Sequence, residues 1–348
     1  MQKVWMKKAL VLFLLFPTLL FGNNLWAQNS GSTTSIFDLM HYKEVLSVTL
    51  EADFSELDTT RRNPKGRKAQ LVFEDQSGQQ QRWAVKLTPR GNFRRLRCEM
   101  SPLKINFKKK ELKAAGLANF DDMKLVTHCV SGKLEAKNLL AKEYLGYRLY
   151  NELSDFSYRV QLLRITYKDT ATGKKTKRWA VLIEDTAQLK DRINASQTVK
   201  DAINLPRDTF HQGLLKIASV FEYLIGNSDW NIKTGRNVKF VRREDKIIPI
   251  PYDFDFSGLV NAGYAIPNPN YGIPSVKTRI FLGFEEDLQE LNGTLAYFKK
   301  KRLDLLTMVD KFTILSTEDR MQIIRYLDSF YQTLDEIVLG ETKRIVLD

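Results

Sequence analysis

Between Leu46 and His128 the chain is cut into five short alternating segments, and that punctuation limits the possible folds more than any other feature. The segments are Leu46-Ser-Val-Thr-Leu-Glu-Ala, Ala69-Gln-Leu-Val-Phe-Glu, Gln81-Arg-Trp-Ala-Val-Lys-Leu-Thr, Leu103-Lys-Ile-Asn-Phe and Met123-Lys-Leu-Val-Thr-His. Each is short and bounded by turn residues, the pattern of an antiparallel sheet. The first clear helical period starts only near Lys133 and runs to Leu153, with Leu139, Leu140, Tyr144, Leu145, Tyr147 and Leu149 forming a broad apolar face. Gln161–Lys168 and Trp179–Glu184 read as another strand pair, and helical patterns follow at Phe210–Leu224, Asp287–Val309 and Thr317–Leu339. Strands first and helices after predict an α+β chain, with a sheet-rich lobe over 36–190 and a helical lobe over 191–348. A length of 348 residues is enough for two such lobes.

The first residues read as a targeting signal. Lys3, Lys7 and Lys8 precede an apolar run from Ala9 to Phe21, and Leu25-Trp26-Ala27 offers a cleavage site. The run is short for a bilayer span, so residues 1–27 are expected to be a signal peptide of an exported, periplasmic or cell-surface protein. Residues 28–35 read as a flexible leader, and no other apolar stretch is long enough to span a membrane. The net charge is +13, of which the three leader lysines contribute three. The remaining excess points to an anionic ligand or envelope component as partner, such as a nucleotide, a phosphorylated glycan or a membrane surface. No nucleic-acid motif is present, and the leader argues against that partner.

Two acidic signatures carry the chemistry. The first is Gly226-Asn227-Ser228-Asp229-Trp230-Asn231, followed by Gly235-Arg236-Asn237. The second is Ile250-Pro251-Tyr252-Asp253-Phe254-Asp255-Phe256-Ser257-Gly258. Two short strands lie between them, around the charged turn Arg242-Arg243-Glu244-Asp245. A hairpin of that length can return Asp253 to the neighbourhood of Asp229. Phosphotransferases need such a set: one Asp to orient the acceptor hydroxyl, then an Asn and a second Asp for magnesium. Asn and Asp also make ordinary turns, which is the plainer reading of either signature alone.

The two cysteines, Cys98 and Cys129, are expected to close a disulfide in an exported chain, the alternative being two buried thiols. His41, His128 and His211 are not spaced as metal ligands.

The chain resembles the spore coat protein H (CotH) family of atypical kinases and, more distantly, HipA-type kinases. The matching segments are Arg90-Gly91-Asn92-Phe93-Arg94, Pro102-Leu103-Lys104-Ile105-Asn106-Phe107, Lys124-Leu-Val-Thr-His-Cys129, Glu143-Tyr-Leu-Gly-Tyr-Arg-Leu-Tyr150, Val181-Leu-Ile-Glu184 and the two acidic signatures. They cover roughly residues 65–285 in order. The resemblance implies a protein-kinase-like two-lobed fold that uses ATP or another nucleotide with Mg or Mn. It implies Asp229 as the catalytic aspartate, and Asn237 and Asp253 as metal ligands with Asp255 as neighbour or substitute. Asn231 competes with Asn237 for the metal role, because the step from Asp229 to Asn237 is longer than in HipA-like loops. Glu143 corresponds to the helix glutamate that pairs a phosphate-binding lysine, and Glu184 to the adenine edge. Lys86, in Trp83-Ala-Val-Lys86, and Lys104 compete for the lysine role, and Arg90 and Arg95 are further phosphate-binding candidates.

The function so implied is phosphoryl or nucleotidyl transfer to a protein or envelope glycan. Two other readings stand beside it. One is a non-catalytic relative that binds a partner in the cell envelope. The other is a glycan hydrolase using Asp229 and Asp253 as acid and base, with Trp230, Tyr252, Tyr264 and Tyr271 available for stacking.

Overall fold

Alternate burial along the strands sets an inside and an outside. In β1 (Val45–Ala52) Leu46, Val48, Leu50 and Ala52 are buried. β2 (Arg67–Glu74), β3 (Gln80–Pro89), β4 (Leu103–Phe107) and β5 (Asp122–Val126) contribute Leu71, Phe73, Val85, Leu87, Ile105, Met123 and Leu125 to the same core. β6 (Val160–Asp169) adds Leu163, Ile165 and Tyr167, and β7 (Lys175–Ile183) adds Ala180 and Leu182. The computed structural model describes residues 33–199, 205–284 and 288–338. The signal peptide expected over 1–27, and 28–32 of the flexible leader expected over 28–35, lie outside them. Ser35, the last residue of that expected leader, is fully buried.

The seven strands close into a barrel in the order β1-β2-β3-β4-β5-β7-β6. Neighbours are antiparallel except β1 and β6, which pair in parallel from Val45–Leu162 to Ala52–Asp169. This closure corrects the kinase-like expectation of two lobes with an open antiparallel sheet. The strands are those read from the sequence, but β1 and β6 find each other across most of the barrel sequence, and no local pattern encodes that partner. Closure also removes both sheet edges, which an open sheet must otherwise protect.

Short helices shut the barrel. α1 (Ile36–Met40) sends Ile36, Phe37 and Met40 into its core and starts with a capping box, in which the Ser35 amide donates to Asp38 at 2.9 Å and the Asp38 amide to Ser35 at 3.0 Å. α2 (Phe54–Thr59) follows the far end of β1, and α3 (Phe93–Arg97) the far end of β3, so both lie at the opposite mouth. α4 (Lys109–Ala114) joins α1, burying Leu112. Cys98 and Cys129 form a disulfide that ties the end of α3 to the segment after β5. A cross-link closing that loop stabilises by roughly 3–4 kcal/mol on the loop-entropy model.

A second core forms on the outside of β6 and β7. α5 (Lys133–Leu153) places Leu140, Tyr144, Tyr147 and Leu149 with Val160, Leu162, Val181 and Ile183. After α6 (Thr186–Arg192), a small sheet has β8 (Gln197–Val199), β9 (Val238–Arg243) and β10 (Lys246–Pro251) in the order β10-β9-β8. α7 (Gln212–Leu224), α8 (Asn292–Lys311) and α9 (Thr317–Val338) complete the second core. β9 and β10 are the hairpin expected between the acidic signatures. Among the described residues no helix is long and apolar enough to cross a membrane.

Candidate functional site

The two signatures meet backbone to backbone. The Gly258 amide donates to the Gly226 carbonyl at 3.0 Å, and the Leu259 amide to Ile225 at 3.0 Å. Both glycines are required by space: a methyl at either would collide with the Tyr326 hydroxyl. Gly226 also has φ +63°, a conformation open to glycine. α5 presses on the same junction, because Gly146 lets the Phe254 ring approach the helix backbone.

The first signature is organised around Asn227. Its side-chain oxygen accepts from the Asp229 amide at 3.0 Å, and its nitrogen donates to Glu222 Oε2 at 2.8 Å. Glu222 is fully buried on α7. Burial, countered in part by the Asn227 bond, pushes its carboxyl well above the ordinary range. Asp229 is met by Asn237 Nδ2 at 2.8 Å and by Arg236 Nη2 at 2.5 Å. Burial raises its carboxyl, Arg236 and Asn237 oppose that, and the nearby Asp253 charge adds to it. Across the hairpin base the Tyr252 amide donates to the Asn237 carbonyl at 3.0 Å. Asn237 and Asp253, which frame the hairpin, both have positive φ, 53° and 69°. Left-handed non-glycine residues gather at functional sites.

The second signature splits in two. Asp255 is buried, accepts from the Tyr264 hydroxyl at 3.1 Å and lies 3.5 Å from Arg94 Nη1. Arg94 also donates to Glu143 at 3.0 Å and to the Thr127 carbonyl at 3.1 Å. One guanidinium thus faces two buried carboxyls. Burial and the acidic neighbours push Glu143 and Asp255 upward, and Arg94 pulls against them. The Asp253 carboxylate, by contrast, is 37% exposed and 3.8 Å from Arg94 Nη1, and its amide donates to the Tyr147 hydroxyl oxygen at 2.9 Å.

A basic wall lies beside the rim. On the outer face of the barrel Lys124 sits opposite Lys104, which sits opposite Thr88. Lys124 Nζ stands 4.5 Å from the Tyr158 ring centroid and 5.3 Å from that of Tyr252. Burial, then Arg90 and Lys239, push its ammonium down to about 7. Lys104 is drawn aside by an ion pair of 2.5 Å to Asp122.

The structure therefore gathers Asp229, Asn237, Asp253, Asp255 and Glu143, and it distributes the other predicted residues elsewhere. Lys86 is exposed on the outer barrel face with its stem against Gly66. Arg90 is half-buried near Lys124. Arg95 is spent on the carbonyls of Gly91, Arg61 and Arg62. Glu184 is fully buried between Arg159 at 2.9 Å and Arg192 at 2.7 Å. The helix glutamate pairs Arg94, neither Lys86 nor Lys104. Asn231 forms a tight turn with Arg236.

Sequence reasoning missed Arg94, Lys124 and Glu222 as parts of this site. Lys124 had a signal, being the one cation inside the otherwise apolar Met123-Lys-Leu-Val126 strand. Magnesium and manganese take oxygen donors. Asp253 and the side-chain oxygen of Asn237 fit that set, whereas Asp255 is committed to Arg94 and Tyr264. Among the described residues no group of three or more His, Cys, Asp or Glu side chains is placed to hold a metal ion. No protein-family model matches the sequence, and no curated protein matches it significantly.

Proposed function

We propose that the acidic rim and the basic barrel wall beside it bind a phosphate-bearing ligand and transfer a phosphoryl or nucleotidyl group to a protein or envelope glycan. One observation carries this reading: Tyr252, next to Asp253 on the acidic rim, has Lys124 Nζ 5.3 Å from its ring centroid and feels the charges of both Asp253 and Arg90, so cations adjoin the rim. Cations on one side suit the ligand phosphates, and carboxylates on the other suit a divalent ion and an acceptor hydroxyl. Asp253 and Asn237 would hold Mg or Mn, which when bound neutralises phosphate charge. Asp229, oriented by Asn237 and Arg236, would position the acceptor. Lys124 gains a proton readily as an anion arrives, because its charge is suppressed only by burial and like-charged neighbours. The disulfide fits an oxidising compartment, as the leader expectation requires.

A second reading is favoured by the Arg236 pair, which occupies one Asp229 oxygen. In it the rim and wall bind a phosphorylated envelope component without turnover. Calorimetry of the purified protein with ATP, with and without Mg²⁺ or Mn²⁺, tests both. The transfer reading expects metal-dependent binding that Asp253→Ala weakens at least about tenfold. It expects Asp229→Ala to retain binding and lose transfer. Binding without transfer under any donor selects the second reading. No binding, or binding untouched by Asp253→Ala, sinks both.

A further inference from the structure

Four lysines form a line across the outer face of the barrel. Lys68 on β2 sits directly opposite Lys86 on β3, and Lys104 on β4 sits directly opposite Lys124 on β5. Lys86 is opposite Asn106, two residues along β4 from Lys104, so the two pairs join on a diagonal. Cβ atoms at such positions are separated by roughly 5, 7–8 and 5 Å in turn. The pleat fixes their direction. Ala69, Val85, Ile105 and Met123, each next to one of the four lysines, belong to the barrel core.

The line lacks its own counter-charge. Like charges directly opposite across two strands cost stability, which a bound anion recovers. The other cations of β2 and β3 have carboxylates beside them, Glu56 at 3.2 Å from Arg67 and Glu51 at 3.6 Å from Arg82. Lys68 and Lys86 are exposed and have no ion-pair partner among the described residues. The carboxylates of β2 to β5 are Glu74 and Asp122. Asp122 is taken by Lys104. Glu74 stands six residues along β2 from Lys68 (74 − 68), about 20 Å away. Between the lysines, Gln70, Thr88 and Asn106 are half-buried on the same face, and their side chains make no hydrogen bond among the described residues.

We propose that this line binds an extended anionic glycan, running from Lys68 and Lys86 toward Lys104 and Lys124. Charges in single file suit anionic groups repeated along a chain, and each lysine is a point charge that accepts carboxylate or phosphate alike. The uncommitted amides and hydroxyl between them suit sugar hydroxyls. A bilayer surface fits less well. The exposed large apolar side chains are Phe93, Leu96, Leu134, Ile266, Leu303 and Met321, and none lies on β2 to β5, so this face has nothing to insert into a membrane interface. The line ends at Lys124, which leads a seated glycan toward the acidic rim. The surface does not rest on the transfer reading, because Lys68 and Lys86 lie outside the rim.

Fluorescence anisotropy of an end-labelled oligogalacturonate, a glycan with one carboxylate per sugar, titrated with the purified protein tests the proposal. Saturable binding is expected, weakening as salt rises. Lys68→Glu combined with Lys86→Glu should weaken it at least about tenfold. The charge-matched pair Lys175→Glu with Lys177→Glu, exposed on β7 off the line, should leave affinity within about twofold. Lys86→Glu alone turns a like pair into an opposite pair, so it should raise the urea midpoint while lowering glycan affinity, a combination that a folding defect does not produce. The absence of saturable binding, or equal losses from the two double variants, would overturn the proposal. So would binding to phosphatidylglycerol vesicles in place of the glycan, lost in the Lys68 and Lys86 double variant. No arm of the experiment contains a nucleotide, so its failure leaves the rim reading to its own test.

Discussion

Asp253 and Asp255 stand two residues apart on one loop, yet their surroundings oppose each other. Asp255 is sealed among Arg94, Glu143 and Tyr264, with a side chain only 4% exposed. Asp253 keeps 37% of its side chain in solvent and meets Arg94 only at 3.8 Å. The sealed group ties α3, α5 and the second signature into one scaffold through a single guanidinium. The open group, with Asp229 and Asn237, is where a ligand can still make new bonds. Carboxylates of the same loop thus divide into a structural half and a reactive half, and exposure decides which is which.

Removing the shared cation should break the sealed half with the largest effect. Arg94→Met leaves Glu143 and Asp255 buried without a counter-charge, a loss of about 3–5 kcal/mol in unfolding free energy. Urea denaturation at neutral pH measures it. A loss under about 1 kcal/mol would place Arg94 among ordinary surface pairs and erase the contrast.

The open half has its own buried carboxyl, Glu222, beneath Asp229. Its folded pKa is raised by burial, so the folded state holds a proton that the unfolded chain gives up in the ordinary carboxylate range. Its stabilising contribution is complete below the unfolded pKa and is lost as pH rises toward the folded one. Within that window it should account for about 1.4 kcal/mol of lost stability per pH unit. Glu222→Gln keeps an acceptor for Asn227 and removes the titration. The variant should gain on the wild type as pH rises, read from denaturation midpoints across mildly acidic to alkaline buffers. Parallel pH curves for the two proteins would show that Glu222 is ionised in the fold.

The smallest effect is expected on the basic wall. Lys104 is 41% exposed and paired to Asp122. Lys104→Met should change stability by less than about 1 kcal/mol. It should also leave nucleotide affinity unchanged, whereas Lys124→Met lowers that affinity. If calorimetry shows the reverse order, the phosphate-facing cation is Lys104 and the rim extends further along β4.

Much of the local structure was legible in the sequence, and the reasons are local. Period-2 burial marked the strands, and the broad apolar face from Leu139 to Leu149 marked α5. The charged turn at 242–245 marked the β9–β10 hairpin. The hairpin in turn brings Asp253 back to Asn237, so the rim could be anticipated from spacing. With only two cysteines, any intramolecular disulfide had one possible pairing.

What the sequence determined by itself is therefore the seven barrel strands, the long helices α5, α7, α8 and α9, the turn that returns one acidic loop to the other, and the one pairing open to its two cysteines; the short helices α1 to α4 and α6, and strand β8, it did not. Tertiary structure decided the rest. It closed the sheet through the β1–β6 pair, gave Glu143 to Arg94 rather than to a lysine, and turned Lys104 to Asp122. It also sealed Asp255 while leaving Asp253 open. Turn chemistry and hydrophobic period act over a few residues, and a chain carries them wherever it goes. Burial, and the partner each charge meets, depend on distant segments arriving at the same place, and only the folded chain sets that.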